Sequence, residues 1–480
     1  CKDGGKAEVI RDLKLDGELI VIGDGYTDYE IKAAIPSAHF VAFTENVIRD
    51  VVVEKADHVV DSFSDVIYIS DEPVRLSYPK NKIRVLLLEQ VHPRAVEIFK
   101  EEGYQVESLA GSLDKEALCN KMHRVSILGI RSKTNLTSDV FKASKTLLAV
   151  GAFCIGTDQI DLLSASESGV SVINAPYSNT RSVVELALGE IIMLMRRAID
   201  SSKALHEGKW QKSAKGCFEV RGKKLGIVGY GNIGSQLSVL AESLGMNVYY
   251  YDVVEKLSLG NAKKCKSLEE LLKISDVVTL HVDGRASNAG LIGIREFNLM
   301  KDGVVFLNLS RGSVVDTNSL VQSLKSGKVA GAAVDVFQNE PRSNEEEFFS
   351  ELRGLPNVIL TPHIGGSTHE AQESIAEYVA EKIISYINTG NSVGSVNFPE
   401  IALSPVFGAH RLLHVHKNVP GILAEINGTL ARFKINILGQ YLKTTEQIGY
   451  VITDVNKEYN SELIDTLKSI PNTIRFRVLY

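Results

Sequence analysis

KKLGIVGYGNIGSQLSVLAESLGMNVYYYD, residues 223–252, decides the fold. LGIVGY reads as a buried strand. Gly229, Gly231 and Gly234 follow as G-x-G-x-x-G at a strand-to-helix turn. The first glycine permits the tight turn, the second lets backbone approach a pyrophosphate, and the third lets helix and strand pack closely. The helix opening at Asn232 and Ile233 then offers unpaired N–H groups to phosphate. The next strand, NVYYY, ends in Asp252, about twenty residues on. A carboxylate there accepts hydrogen bonds from both adenosine ribose hydroxyls and repels a 2′-phosphate. The expected cofactor is therefore NAD and not NADP.

Downstream, one pattern repeats three times: a buried strand, then polar residues at its carboxyl end. VVFLNLSRGSVVD places Leu309, Ser310 and Arg311 after a strand. AGAAVDVFQNEP places Asp335 and Glu340 after another, and VILTPHIGGST places His363, Ile364, Gly365 and Gly366 after a third. Ligands bind at the carboxyl ends of parallel strands, so these residues are expected to converge on the nicotinamide end of the cofactor. The set suits oxidation of a 2-hydroxy acid, which needs a hydride acceptor and a base for the hydroxyl proton. His363 is the candidate base. Glu340 would stabilise its imidazolium and hold the ring, and Arg311 would grip the substrate carboxylate with its planar fork. His92, His206 and His281 lack such partners and read as structural or surface residues.

The 480 residues point to several domains. With 44% hydrophobic and 23% charged residues the balance is that of a soluble globular chain, and a net charge of −6 argues against nucleic acid as the main partner. Five cysteines without C-x-x-C pairs suggest reduced thiols and a cytoplasmic protein. No apolar run approaches the roughly 20 residues that span a bilayer. The chain starts at Cys1, as a mature lipoprotein would, but KDGGKAEVI leads at once into folded-domain sequence. A truncated chain is the expectation. Residues 70–82 and 398–410, both proline-containing, read as linkers. Between them strands and helices alternate, which predicts a parallel sheet with helices on both faces. TRSVVELALGEIIMLMRRAIDSSKALHEG predicts one long helix over 180–208, apolar on more than one side and suited to pack against another subunit.

Residues 83–480 resemble the D-specific 2-hydroxyacid dehydrogenase family, in the branch that oxidises 3-phosphoglycerate. The resemblance rests on RSKTNLT, GAFCIGTDQIDL, NAPYSNTRSVVE, the glycine fingerprint, SRGSVVD, AAVDVFQNEP and PHIGGSTHEAQ. It implies a flavodoxin-like substrate domain built from residues 83–178 and 366–397, around a Rossmann-type NAD domain at 179–365. It places the catalytic trio on Arg311, Glu340 and His363, and a phosphate-binding basic pair on Arg131 and Lys133. Relatives carry Arg at the second of these, so the two-pronged phosphate grip is in question there. Lys212 matches a further substrate cation, and Asp283 stands where relatives have proline.

Residues 411–480 resemble an ACT domain, a ferredoxin-like βαββαβ module that binds amino acids, through HVHKNVPGILAEINGTLARFKINI. This implies L-serine as effector, held by His416, Asn418 and Asn436, and a homo-oligomer, dimer or tetramer. Residues 1–69 resemble the C-terminal part of phosphoserine phosphatases, of the haloacid dehalogenase class. GGKAEVI would supply a phosphate-binding Lys6, and GDGYTDYE the Mg²⁺ carboxylates Asp24 and Asp28. The family's nucleophilic DxDxT segment is absent from this chain, so phosphatase activity is not expected, and a longer parent would fuse two enzymes of serine synthesis. Two other readings of the whole are a hydroxypyruvate or glyoxylate reductase and an NAD-sensing corepressor without turnover. The ACT tail speaks against both. The basic pair disfavours the first, and the complete Arg–Glu–His set the second.

Overall fold

Four β-sheets organise the computed structural model, which describes residues 5–13, 19–44, 47, 49–60, 80–341, 345–404, 408–456, 459 and 461–479. The first sheet is small. β1 (Ile20–Gly23), β2 (His39–Phe43) and β3 (His58–Val60) pair in parallel in that order. Helix α1 (Tyr26–Ala34) connects β1 to β2, with Val21, Ile31, Phe40 and Val52 in the core between them. The expected linker at 70–82 lies outside the described residues up to 79. Lys80–Lys82 form a single 3-10 turn in which Lys80 pairs with Glu102.

The second sheet joins β4 (Arg84–Leu87), β5 (Gln105–Ser108), β6 (Ile127–Ile130), β7 (Ala149–Ala152) and β8 (Ser171–Asn174), all parallel, in the order β5-β4-β6-β7-β8. That is the flavodoxin-like order 2-1-3-4-5. Helix α2 (Pro93–Glu101) follows β4. His92 caps it by accepting the Arg94 N–H, and proline takes the first helical position, where no donor is needed.

Next come α3 (Thr180–Arg196) and α4 (Ala198–His206), where the sequence predicted one helix. The break falls at Arg197, in the left-handed region (φ 50°, ψ 36°). Two interactions explain it. The Met195 carbonyl accepts from the Phe218 N–H, 2.8 Å away, and Asp200 turns inward to accept the Asn357 N–H. The exposed apolar residues of this pair, among them Ile192, Met193, Ile199 and Leu205, leave a second apolar face outward.

The third sheet is fully parallel. β9 (Lys224–Val228) leads through α5 (Asn232–Ser243) to β10 (Asn247–Tyr251) and β11 (Lys263–Lys264). β12 (Val277–Leu280), β13 (Val304–Asn308), β14 (Val329–Val334) and β15 (Val358–Leu360) extend the other side, giving β11-β10-β9-β12-β13-β14-β15. The order reverses between β9 and β12, which opens a crevice at their carboxyl ends. Helix α6 (His369–Thr389) then carries the chain back to the second sheet and packs on α2, β7 and β8.

The fourth sheet is antiparallel: β16 (His410–Lys417), β17 (Ile437–Thr444), β18 (Ile448–Val455) and β19 (Thr473–Leu479), in the order β17-β18-β16-β19. With α7 (Ile422–Arg432) and α8 (Ser461–Lys468) this is βαββαβ. Its side chains alternate as strands require. Leu412, Val451 and Val478 face the two helices, while Leu413, Val415 and Tyr450 enter the core of the second sheet and α6. The segment 398–410, expected as a linker, contributes two residues to that core. Phe398 and Ile401 are buried, and the Phe398 ring meets Tyr386 and Tyr450 edge-on at 6.0 and 5.6 Å between centroids. Its apolar positions are needed because two packed layers leave a seam there. Residues 405–407 lie outside the description. Phe398→Ala should cost roughly 3–5 kcal/mol, read as an earlier denaturation midpoint. An unchanged midpoint would show that the seam holds nothing together.

Candidate active site

The glycine turn lies at the crevice. Gly229 has φ 91° and donates its N–H to the Tyr251 carbonyl at 2.9 Å, and a β-carbon on it would strike the His281 carbonyl of the loop after β12. A β-carbon on Gly234 would strike the Gly229 carbonyl, so helix and turn touch backbone to backbone. At Gly231 the same position is open, with no atom within 4 Å. Asn232 and Ile233 begin α5 behind that opening. Asp252, on the next strand end, accepts the N–H of Tyr230 at 2.8 Å and of Val254 at 2.9 Å. Open backbone, a helix N-terminus and a neighbouring carboxylate fit a dinucleotide's pyrophosphate and ribose.

The three downstream loops follow β13, β14 and β15, which are neighbours in the sheet. After β13, Asn308 folds the loop. Its Oδ1 accepts from the Ser310 N–H and hydroxyl, and its Nδ2 donates to the Arg311 carbonyl. Leu309 and Ser310 are buried, and Arg311 is half-buried. After β14, Asp335 is 1% exposed. Its Oδ1 accepts from the Thr361 hydroxyl (2.6 Å) and the Ile364 N–H (2.8 Å), and its Oδ2 from the Gly365 N–H (2.9 Å). The sequence reading assigned Asp335 to the cofactor; here its carboxylate holds the next loop. His363 sits inside that bonded turn with φ 53°, a region non-glycine residues rarely adopt.

His363 Nδ1 donates to Glu340 Oε2 at 2.8 Å, which leaves the lone pair of the neutral ring on Nε2. The Glu340 bond lifts the His363 pKa above its ordinary value, against partial burial. Burial works against the charge of Glu340, but the bonds from His363 and from the Phe337 N–H (3.1 Å) hold its carboxyl below the usual range. The pair is built to take up a proton on the ring and keep it there.

Arg311 reaches the second sheet. Its Nη2 lies 3.4 Å from where a β-carbon on Gly156 would be. Cys154, in the same turn, feels the charges of both Arg131 and Arg311, and burial pushes its thiol up to about 11. Arg311 thus meets that turn from the third sheet, while Arg131 joins it through its backbone carbonyl, which accepts from the Gln159 side chain of the same turn at 2.5 Å. The loop carrying Arg131 and Lys133 is pinned by Glu89, whose carboxylate accepts the N–H groups of Lys133 (2.9 Å) and Thr134 (2.8 Å). Glu89 is 8% exposed and was missed in the sequence. The signal was there: a carboxylate ending the buried strand IRVLLLE needs donors.

Other expected residues are not gathered. Lys212 is exposed in the loop after α4, with no hydrogen bond or ion pair to this cluster among the described residues. His416 is buried with its ring over Gly449 and Nδ1 bonded to the Lys417 carbonyl. Asn418 follows β16 and is exposed, whereas Asn436 precedes β17 at the opposite end of the sheet. One chain therefore does not assemble the trio. Asp28 is taken by Lys6 (2.6 Å) and the Gly25 N–H (3.2 Å), and Asp24 is exposed. They make no ligand set; among the described residues no cluster of three or more His, Cys, Asp or Glu could hold a metal ion. His281 is half-buried with its ring bonded to the Thr279 hydroxyl, and desolvation of the ring pushes its pKa down to about 4, which suits a structural histidine.

Fold and site together define an NAD-dependent dehydrogenase of 2-hydroxy acids. Residues 188–365 match the NAD-binding domain of the D-isomer specific 2-hydroxyacid dehydrogenases, and residues 412–475 an ACT domain like that of the AHAS small subunit. Among solved structures the chain resembles a D-lactate dehydrogenase of Aquifex aeolicus complexed with NAD and lactic acid, at 26% identity and TM-score 0.58, covering 66% of this chain and all of that one. A D-lactate dehydrogenase from Sporolactobacillus gives 31% identity, TM-score 0.57, and coverage of 67% and 100%. A D-3-phosphoglycerate dehydrogenase of Dictyostelium discoideum is 50% identical over 404 residues, 84% of this chain and 99% of its own. The Escherichia coli K12 enzyme of that name is 48% identical over 409 residues, 85% and 100%. The chain belongs to the D-3-phosphoglycerate dehydrogenase family. NAD is its cofactor.

Because the Glu340 carboxylate is what raises the His363 pKa, Glu340→Gln should lower it. The imidazole titration followed by NMR should move to lower pH. An unmoved midpoint would mean that Glu340 does not set the basicity of the ring.

Proposed function

We propose that the chain oxidises 3-phosphoglycerate at C2 to 3-phosphohydroxypyruvate, the first committed step of L-serine synthesis. The observation that carries this is that Arg311 and the Arg131 loop meet at the 154–159 turn, with the His363–Glu340 pair on the same sheet as Arg311. A substrate with a carboxylate at one end and a phosphate at the other suits two cations approaching from two sheets. Arg311 binds the carboxylate in a fork, and Arg131 with Lys133 takes the phosphate. The C2 hydroxyl then lies against His363 Nε2, which accepts its proton, while Glu340 stabilises the imidazolium. When bound, the nicotinamide supplies the hydride acceptor. Gly229, Gly231, Gly234, Asp252, the 309–311 loop, Ile364, Gly365 and Gly366 line the cofactor, and Lys212 joins the substrate by movement of its loop. A plain 2-hydroxyacid reductase has no use for Arg131, and a corepressor none for an oriented base.

The catalytic part comprises 83–178 with 366–397 as substrate domain and 179–365 as NAD domain, each centred on its own sheet. Residues 411–480 are the regulatory module, answering to L-serine. A buried His416 and two asparagines at opposite sheet ends suit a site shared between copies. If two β17 edges pair antiparallel, Asn436 of one copy comes beside Asn418 of the other. The outward apolar face of α3 and α4 supports a further contact in a dimer or tetramer. Unpaired Cys119, Cys154, Cys217 and Cys265 suit the cytoplasm. Residues 1–69 we read as part of a phosphoserine phosphatase-like domain, on the parallel strands with Lys6 paired to Asp28, and we give them no catalytic role.

His363→Asn should lower kcat about 10²–10⁴-fold while NAD affinity, measured by fluorescence, stays nearly unchanged. Near-normal turnover would remove His363 as the base. Asp252→Ala should relax the NAD preference, read as the ratio of kcat/KM with NAD and NADP; an unchanged ratio places ribose recognition elsewhere. L-serine should inhibit the intact chain, with a coupling of about 1–3 kcal/mol, and Asn418→Ala and Asn436→Ala should each weaken it. Equal sensitivity in both variants would sink the shared site.

A further inference from the structure

Helix α3 buries Val183, Val184, Ala187, Ile191, Leu194 and Met195 toward the third sheet. Glu190 stands on the same stripe, where an aliphatic side chain would complete it, and is 3% exposed. Both of its carboxyl oxygens are buried, and neither has a hydrogen-bond partner among the described residues. Such a group is rare in a folded interior and calls for a reason. Its surroundings supply one. α3 packs on β13, β14 and β15, the strands that end in the site. Val183 lies 3.5 Å from where a β-carbon on Gly365 would be, and the Ser182 and Thr368 hydroxyls bond at 2.7 Å. The helix is thus seated on the turn that bears His363.

The charged groups around Glu190 can be named. On α3 itself are Arg181, Glu185 and Arg196, with Arg181 paired to Glu185. α4 carries Asp200, Lys203 and His206, α5 carries Glu242, and the loops after β14 and β15 carry Asp335, Glu340 and His363. Of these, Asp335 is the one whose charge bears on Glu190. The two acids differ in what surrounds them. Asp335 has three donors; Glu190 has none. Burial, with repulsion from Asp335 added, pushes the Glu190 carboxyl up to about 8, so it is uncharged at neutral pH.

We propose that Glu190 is a positioning residue of the dehydrogenase reaction: as an uncharged acid on the helix seated under the 361–365 turn it leaves the three donors of that turn bound to Asp335, and its ionisation loosens the turn and misaligns His363. A second negative charge in an apolar core beside Asp335 has no counter-ion to meet it. The strained backbone of His363 persists only while its neighbours hold it. The sign follows. The raised carboxyl contributes stability that is present at low pH and is lost as pH rises from the ordinary carboxylate range through about 8. His363 sets the acid limb of oxidation, because the base form must be present; Glu190 sets the alkaline limb. The inference rests on His363 as the base, and the two limbs keep the ideas separable.

The test is the pH profile of kcat with 3-phosphoglycerate, for the intact chain and Glu190→Gln, which stays uncharged at every pH. In the intact chain kcat should fall as pH rises through about 8, by about tenfold per pH unit, as a single ionisation does, with KM for NAD steady. Glu190→Gln should keep the neutral-pH kcat and lose that fall. The same alkaline fall in the variant overturns the proposal, and so does a collapse of kcat at neutral pH in a folded variant, since the charge would then be required. If the variant fails to fold, the isotope-edited infrared spectrum of the intact chain decides. A protonated-carboxyl band that persists at neutral pH and disappears in step with kcat supports the proposal. Absence of that band at neutral pH overturns it. The band at neutral pH is read without turnover, so a failure of Glu190 as an uncharged acid is told apart from a failure of His363 as the base.

Discussion

A carboxylate with 1% of its surface exposed must be met by donors, and at Asp335 every donor comes from one loop. Each hydrogen bond to a charged group contributes on the order of 1.5–3 kcal/mol, so the 361–365 loop is anchored more firmly than its short strand would manage alone. The anchoring fixes the backbone on either side of His363 and holds that residue at φ 53°. The Asp335 carbonyl also accepts the His363 N–H at 2.8 Å. Only then can Glu340, five residues beyond Asp335, aim the ring from the other side. The catalytic pair is therefore a product of main-chain geometry before it is a product of charge.

The same loop is where the chain crosses between the two large sheets. Gly366 lies against the Asn179 side chain of the other crossing, so close that a β-carbon would collide with it. The Ser182–Thr368 bond ties the two crossings together. The glycine turn and the His363–Glu340 pair belong to the third sheet, and the loop of Arg131 and Lys133 to the second. Arg311 bridges them, with its stem beside Gly284 and its guanidinium beside Gly156. The position of the Arg311 guanidinium thus depends on how the two sheets stand to each other.

The sequence made the third sheet legible because its motifs are local. A glycine spacing, an acid on the next strand and three strand ends each fit within a short window, and the structure sets them side by side. What stayed hidden depended on distance. Glu89 and the Lys133 and Thr134 N–H groups it holds are about 45 residues apart. Glu190 reads as one polar position on a long helix, and only the fold shows it buried without a partner. The break at Arg197 needed Phe218 and Asn357, neither of which lies in the helix. Phe398 and Ile401 sat in a proline-containing stretch whose composition resembles a linker, and their burial comes from a seam between layers distant in sequence. The placement of Asn418 and Asn436 was equally hidden: they are 18 residues apart in sequence, and only the strand order puts them at opposite ends of one sheet.

The link between the terminal module and the site is mechanical. Helix α6 has 21 residues, about 31 Å at 1.5 Å per residue. Its N-terminus is capped by Thr368, directly after the catalytic turn. Its C-terminal end is held by the fourth sheet: Tyr450 donates to the Gly390 carbonyl, Arg411 to that of Thr389 and Arg477 to that of Ile387. Arg411 is itself buried and doubly bonded to Asp454, so its grip is not free to swing. Arg475 adds bonds to the Leu147 and Ser168 carbonyls of the second sheet. A displacement of the fourth sheet must therefore carry α6 and the second sheet with it. Because α6 begins where the His363 turn ends, that displacement acts on the crossing between the sheets that Arg311 spans.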